Sequence, residues 1–507
     1  MTRWIRPGTG SCVLSALFFA AFAGCGSSNS KSAPDATTHD TALSQDVVVA
    51  LDGFSDHAVA PDAAASDSTV APDAAQSDAL VADVPATDAA SSDAESVSDA
   101  GSAPDIVTAM SSVQRIADPQ VPAADITTLA SDNAAFAFAA YQQLITGNTN
   151  LVFSPASISI ALAMTYAGAA TTTATEMASA LHFTLPPAQL HPAFNALDQT
   201  LASRGQGFLG ADGGPMQVDI ANAIWAEKTY TFEADFLDTL AENYGAGVNL
   251  LDFVNAPDPS RLTINAWVSN QTDDKIQNPL PPGSIDGLTR LVLTDVVYFN
   301  AAWETSFDPN NTQDGPFTRL DGSSVTVSFM NAYFPSLPAS QGTNFVAASL
   351  PYADTRLSLV VVVPDEGQFS QVESSLNATT LASLVAGLTS QPVLLTIPRL
   401  KIETSTSLEV LLQALGMTSA FISGTADFSG MDGTHNLYIS NVFQDAFINV
   451  TEKGTEAAAA TAVVVGAGAA APTGLVVDAT RPFIYFLYDQ PTGAILFMGR
   501  VQDPSQN

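Results

Sequence analysis

Cysteine is nearly missing from this chain of 507 residues: there are two, Cys12 and Cys25, both close to its start. Everything after them is without a disulfide, a thiolate nucleophile or a thiolate metal ligand. Basic residues are scarce as well, 16 Lys and Arg against 51 Asp and Glu, for a net charge of −35. Nucleic acid, an anionic lipid surface and a heparin-like polyanion all need clustered Lys and Arg, so none is expected as a partner. Histidine is rare too. Only His182, His191 and His435 fall in the part that reads as folded. No H-E-x-x-H, G-x-S-x-G or G-x-x-x-x-G-K-[ST] occurs. No histidine has a second ligand at metal spacing, so neither a metal nor another cofactor is expected. His182 and His191 flank "LPP" and read as solvated surface groups, and His435 in "MDGTHNL" reads as a turn residue. Nothing positive supports an enzyme.

The chain opens with Arg3 and Arg6, then an apolar run from Cys12 to Ala23. That is a secretory signal, too short for an ordinary membrane span. Its end, "FAGC", resembles the lipobox of bacterial lipoproteins, with Phe22 where Leu is usual. The resemblance implies a signal peptide over 1–24 and acylation of Cys25, which would anchor the chain to a membrane without spanning it. A plain signal peptide cut nearby is the alternative. Gly26, rather than Asp, after the Cys points to export to the outer membrane. From 25 to 125 the chain is almost all Ala, Ser, Asp, Pro, Val and Thr, with recurring acids and hardly an aromatic. Such a segment cannot bury enough apolar surface to offset its ordering entropy, and its charges repel. It reads as a disordered acidic tether.

From Ile126 to Asn507 the texture is globular, and the 46% hydrophobic content of the whole chain allows a large core. "AAFAFAAYQQLI" has helical spacing, and "SPASISIALAMTYAGAATTTATEMASALHF" reads as a buried helix, a break and a second helix. Strand-like runs follow, among them "TRLVLTDVVYFNAAW", "LSLVVVVPD", "NLYISNVFQDAFINV" and "PFIYFLYD". Helices first and strands later give an α+β layout with large antiparallel sheets, and no second linker divides it.

One late stretch stands apart. "TEKGTEAAAATAVVVGAGAAAPTG", from Thr451 to Gly474, carries no charge after Glu456 and lies between two strand-like runs. As a strand, it would send Thr455, Ala457, Ala459, Thr461, Val463 and Val465 to one face, all small or β-branched. The other face would begin with Glu456 and continue Ala458, Ala460, Ala462, Val464, facing solvent or a covering layer. No Pro interrupts before Pro472, and Gly454 supplies a pivot. The stretch can be a loop, and it is also competent to be a central strand.

"EKGTEAAAATAVVV" resembles the reactive-centre-loop hinge of inhibitory serpins. The resemblance extends to "NLVFSPASISIALAMTYAGA", "INAWVSNQTDDKIQNPLPPGSID", "TRLVLTDVVYFNAAWETSF", "LPYADTRLSLVVVVPDEG", "IPRLKIETSTSLEVLLQALGM" and "RPFIYFLYDQPTGAILFMGRV", in order along the chain. It implies a serpin domain over 126–507: three β-sheets, the largest central, about eight or nine helices, and an exposed loop able to insert into that sheet. It implies a monomer that is no enzyme. A target serine protease cuts the loop, is held as an acyl-enzyme, and is trapped covalently as the cut loop inserts. By resemblance the hinge is Glu452, Gly454, Thr455, Glu456, Ala457, Ala458, Ala459 and Ala460. The residues governing opening of the sheet are Ser154, Ser157, Asp295, Trp303 and Gln444. Asp295 stands where the family usually has Asn, and Gln444 where His is common. The basic cluster of heparin-activated members is lacking.

The family's hinge-to-bait spacing places the scissile bond at Gly468–Ala469, in "VVVGAGAAAP". No Arg, Lys or aromatic is present there to suit a trypsin-like or chymotrypsin-like pocket. The small side chains imply an elastase-like or subtilisin-like target. A cysteine protease target, or a non-inhibitory serpin acting in binding or structure, stays open.

Overall fold

The computed structural model describes residues 106–456 and 473–506. The leader with Cys25, the tether up to residue 105, Ala457 to Ala460 and the Gly468–Ala469 bond lie outside the described residues.

A central sheet organises the molecule. Among the described residues it has seven strands in the order β1 (Val107–Ala109), β4 (Val248–Leu251), β3 (Gln217–Glu227), β5 (Leu291–Ala302), β13 (Gly454–Thr455), β12 (Ile439–Thr451) and β11 (Leu400–Ser407). β5 is buried almost end to end because both of its faces are apolar. Leu291, Leu293, Val297 and Phe299 point into the main core, while Val292 and Val296 meet α6 (Pro257–Gln271) and the loop after it on the other side. There Trp225 packs edge-on against Trp267 with centroids 5.5 Å apart and donates to Thr294 at 2.9 Å.

The second sheet has, among the described residues, nine strands: β14 (Leu475–Asp478), β10 (Thr389–Pro398), β7 (Ser324–Gln341), β8 (Phe345–Pro351), β9 (Leu357–Pro364), β15 (Phe483–Asp489), β16 (Ile495–Val501) and β2 (Leu151–Phe153), with β6 (Gln313–Thr318) paired to β7. β7 serves β6, β10 and β8 in turn, so hydrogen bonding runs unbroken through what the resemblance divides into a second and a third sheet. The remaining helices are α1 (Ala123–Leu144), α2 (Pro155–Tyr166), α3 (Thr171–Ala180), α4 (Pro187–Ala202), α5 (Ala234–Tyr244), α7 (Phe369–Ser375), α8 (Ala378–Ala386), α9 (Glu409–Ala414) and α10 (Ser429–Asp432). α2 is buried nearly all round because "PASISIALAMTY" has no charged residue. Pro155 pre-sets its first turn, and the Ser154 side chain caps it by accepting from Ser157 N–H.

Two findings depart from the sequence reading. Residues 106–122 fall within the expected tether, yet they pack on the domain. β1 pairs with β4 along Val107–Ala109. Arg115 then binds Asp198 at 2.6 Å and Asn195 at 2.9 Å, and Ile116 N–H donates to Glu242 O at 2.9 Å. A composition average over a long acidic stretch hid a short β-type run and one well-placed Arg. His191, read as solvated, is buried on α4 with Nδ1 2.7 Å from the Tyr244 hydroxyl. Burial pushes its imidazole down to about 4.

Candidate functional site

The expected hinge and sheet-opening residues meet along a single seam, the line where β5 faces β12. Over Leu291–Val297 the two strands pair directly and in parallel. At the far end of β5 they part, and Gly454–Thr455 sits between them, opposite Ala302 and Ala301 on one side and Thr451 and Val450 on the other. Gly454 is required by close approach: a Cβ there would lie 2.0 Å from Ala301 O. Thr455 is buried, and its hydroxyl lies 2.7 Å from the Tyr352 hydroxyl. Tyr352 stacks on Trp303 with centroids 4.5 Å apart and meets Phe299 edge-on at 4.9 Å. Trp303 in turn donates from Nε1 to Thr451 O at 2.9 Å and from its backbone to Lys453 O at 2.7 Å. One aromatic column therefore buttresses both edges of the opening.

Glu452 ties this end to the neighbouring sheet. Arg399, between β10 and β11, donates Nε to both carboxylate oxygens at 2.8 and 3.0 Å and Nη2 at 2.6 Å, and Thr312 adds its hydroxyl at 2.5 Å. Burial alone would raise the Glu452 carboxyl, but these donors outweigh it and hold it below the usual carboxylate range. Glu456 leaves the sheet. Its N–H still donates to Asn449 O at 2.7 Å, while its φ of +61° turns the chain away. Its carboxylate is buried against Lys275, in the loop after α6, and accepts from the Tyr298 hydroxyl. The covering layer, not solvent, receives the Glu456 side chain.

Midway along the seam the chemistry changes. Gln444 on β12 stands opposite Asp295 on β5, and Asn222 on β3 stands on the other flank of Asp295. The Gln444 amide donates to Asp295 Oδ2 at 3.1 Å and to Ser154 O at 2.9 Å, and it accepts from Ser154 N–H at 3.1 Å. Ser157 donates to Asn222 Oδ1 at 2.9 Å. Ser154 and Ser157 thus lay the cap of α2 beneath the strand pair. The structure brings together Ser154, Ser157, Asp295 and Gln444 at the middle of the seam, and Glu452, Gly454, Thr455, Glu456 and Trp303 at its end.

Sequence reasoning missed Tyr352, Arg399, Lys275 and Asn222. Tyr352 in "LPYAD", Arg399 in "IPRLKIE" and Asn222 in the strand-like "DIANAIWA" stand as polar residues among apolar ones, and that is the signal that would have found them. Lys275 lies among other polar residues in "TDDKIQ" and carries no such signal.

The comparisons with known proteins agree with this geometry. Residues 131–504 match the model of the family described as serpin (serine protease inhibitor). The bovine leukocyte elastase inhibitor is 35% identical over 70% of this chain and 93% of its own length. An uncharacterized serpin-like protein of Thermococcus kodakarensis is 35% identical over 73% of this chain and 84% of its own. Among solved structures, the native state of the thermophilic serpin tengpin superposes with a TM-score of 0.69 at 28% identity, covering 78% of this chain and 99% of that one. Human thyroxine-binding globulin with bound thyroxine gives 0.66 at 28% identity, covering 75% of this chain and all of that one.

Proposed function

The chain belongs to the serpin family, and on that premise we propose that it inhibits a serine-type endopeptidase as a suicide substrate. The observation that carries this reading is the seam. Two hinge residues are already seated between β5 and β12, in register with both strands. Thr455 faces Ala301 and Val450, so counting six residues on brings Thr461 opposite Asp295 and Gln444 together, which are themselves partners. A cut loop continuing in this register would therefore replace the Gln444–Asp295 bond with its own strand. The residues it would carry to the inner face are small or β-branched, so no charge has to be buried there. The target's own nucleophile makes the acyl bond, and strand insertion outruns its hydrolysis.

The reading extends to the target and the location. The small residues around Gly468–Ala469 suit a shallow pocket, as in elastase-like or subtilisin-like proteases. The relative named leukocyte elastase inhibitor supports that class. The leader and Cys25 support export and a lipid anchor at the cell surface. Thyroxine-binding globulin keeps a binding role in view as the second reading, since its printed description is a complex with thyroxine.

The test is to incubate the chain with pancreatic-type elastase, subtilisin, trypsin and papain and run denaturing gels with intact-mass spectrometry. A band at the summed mass is expected with the small-residue proteases, and the released C-terminal peptide identifies the bond cut. Thr455→Arg or Ala457→Pro should turn the inhibitor into a substrate. Loop cleavage by several such proteases without any covalent complex would overturn the proposal and leave the binding role.

A further inference from the structure

Asp295 is fully buried, and its surroundings suit a neutral acid better than a carboxylate. Oδ2 accepts one amide hydrogen bond, from Gln444, and the Ser157 hydroxyl stands beside the group. Oδ1 has no partner among the described residues. Among the described residues no Lys or Arg acts on it from the elements around it. α2 has no charged residue at all. β3 offers the neutral Asn222, and its acids Asp219 and Glu227 alternate to the opposite face. β12 brings one charged group, Asp445, next along the strand, held by the Ser405 hydroxyl with Glu403 nearby. A second acid makes ionisation of Asp295 harder, not easier.

We propose that Asp295 makes the closure of β5 against β12 sensitive to pH: as a neutral acid it pins the strands through Gln444, and as a carboxylate it drives them apart. The reason is solvation. A dry carboxylate with one amide donor and no counter-ion is costly, and parting the two strands admits water to it. Burial pushes the Asp295 carboxyl up to about 8, with Ser157 and Gln444 pulling it back and Asp445 adding to the rise. The folded acid thus holds a proton that an ordinary carboxyl, at 3.8, has lost. Stability conferred by this group is full below the ordinary value, declines as pH rises, and levels off once the pH passes about 8.

The test compares the full chain with Asp295→Asn, which keeps the shape and the Gln444 contact but cannot ionise. The urea midpoint of the wild type should fall between about pH 6 and about pH 9 and then flatten, while that of the variant stays level. The second arm rests on the insertion reading above. Uptake of a synthetic peptide copying 455–465 should be about tenfold faster at about pH 9 than at about pH 7 in the wild type, and unchanged in the variant. Asp445→Asn should leave the alkaline limb in place. If Asp295→Asn does not fold, Asp295→Ser carries the same comparison. Identical pH profiles for wild type and Asp295 variants would overturn the inference. Failure of the peptide to enter either protein at any pH would instead count against insertion, and the midpoints would still decide the role of Asp295.

Discussion

The two halves of one seam are closed by different chemistry. At the β13 end, β5 and β12 are already apart, and what holds them is charge and aromatic stacking: Glu452 on Arg399, Trp303 on Tyr352. In the middle the strands touch, and what holds them is a neutral amide spanning Asp295 and Ser154. The end can admit two residues of a new strand without losing these contacts. The middle cannot, because an incoming strand has to take the place of the Gln444 amide. Opening is therefore prepared at one end and resisted at the other.

The largest effect should come from the end. Trp303→Ala removes a buried indole that stacks on Tyr352 and bonds Thr451 O. A loss of about 3–5 kcal/mol is expected, read as a drop in the urea midpoint without a change in slope. Gln444→Leu should be the next largest. It strips Ser154 N–H and the Asp295 carboxyl of their partner together, while Ser154 O keeps the Ile158 N–H. About 1–3 kcal/mol is expected for buried polar groups left unpaired. Equal penalties for the two variants would mean that the seam is uniform and that its two halves are held alike.

Acid and alkali should then separate the halves by sign. Glu452 is held below its ordinary 4.5, so its contribution is present above that value and is lost as pH falls through the folded value. Asp295 runs the other way, with stability lost as pH rises towards about 8. Glu452→Gln should make only the acid limb of a midpoint-versus-pH curve shallower, since other carboxyls such as Asp354 and Asp427 are also held low, and Asp295→Asn should act only on the alkaline limb. Arg399 is half exposed, so the acid limb should be the shallower of the two and should shrink with added salt.

Much of this was legible in the chain. The alternation of small residues after Gly454 announced a segment able to be both loop and strand, and the uncharged "PASISIALAMTY" announced a helix inside the core. The partners of those residues were not legible, because they come from far away. Thr455 meets Tyr352 across 103 positions, and Glu452 meets Arg399 across 53. Nor could the sequence tell that Asp295 is buried with no cation beside it among the described residues, since that depends on which face each neighbouring strand turns inward. The burial of His191 escaped for the same reason: its Tyr244 partner lies on another helix.

The smallest expected effect is the most local. Tyr352→Phe keeps the stack on Trp303 and removes only the hydroxyl that meets Thr455. The loss should be about 0.5–1.5 kcal/mol, because a buried Thr hydroxyl is left unpaired. Thr455→Val on the Tyr352→Phe background removes that orphan, so the double variant should be more stable than the sum of the singles, by a coupling of about 0.5 kcal/mol or more. A cycle with zero coupling would mean that Thr455 is held by its backbone alone. The aromatic column would then support the opening without gripping the hinge, and the end of the seam would be as passive towards an incoming strand as the middle is resistant.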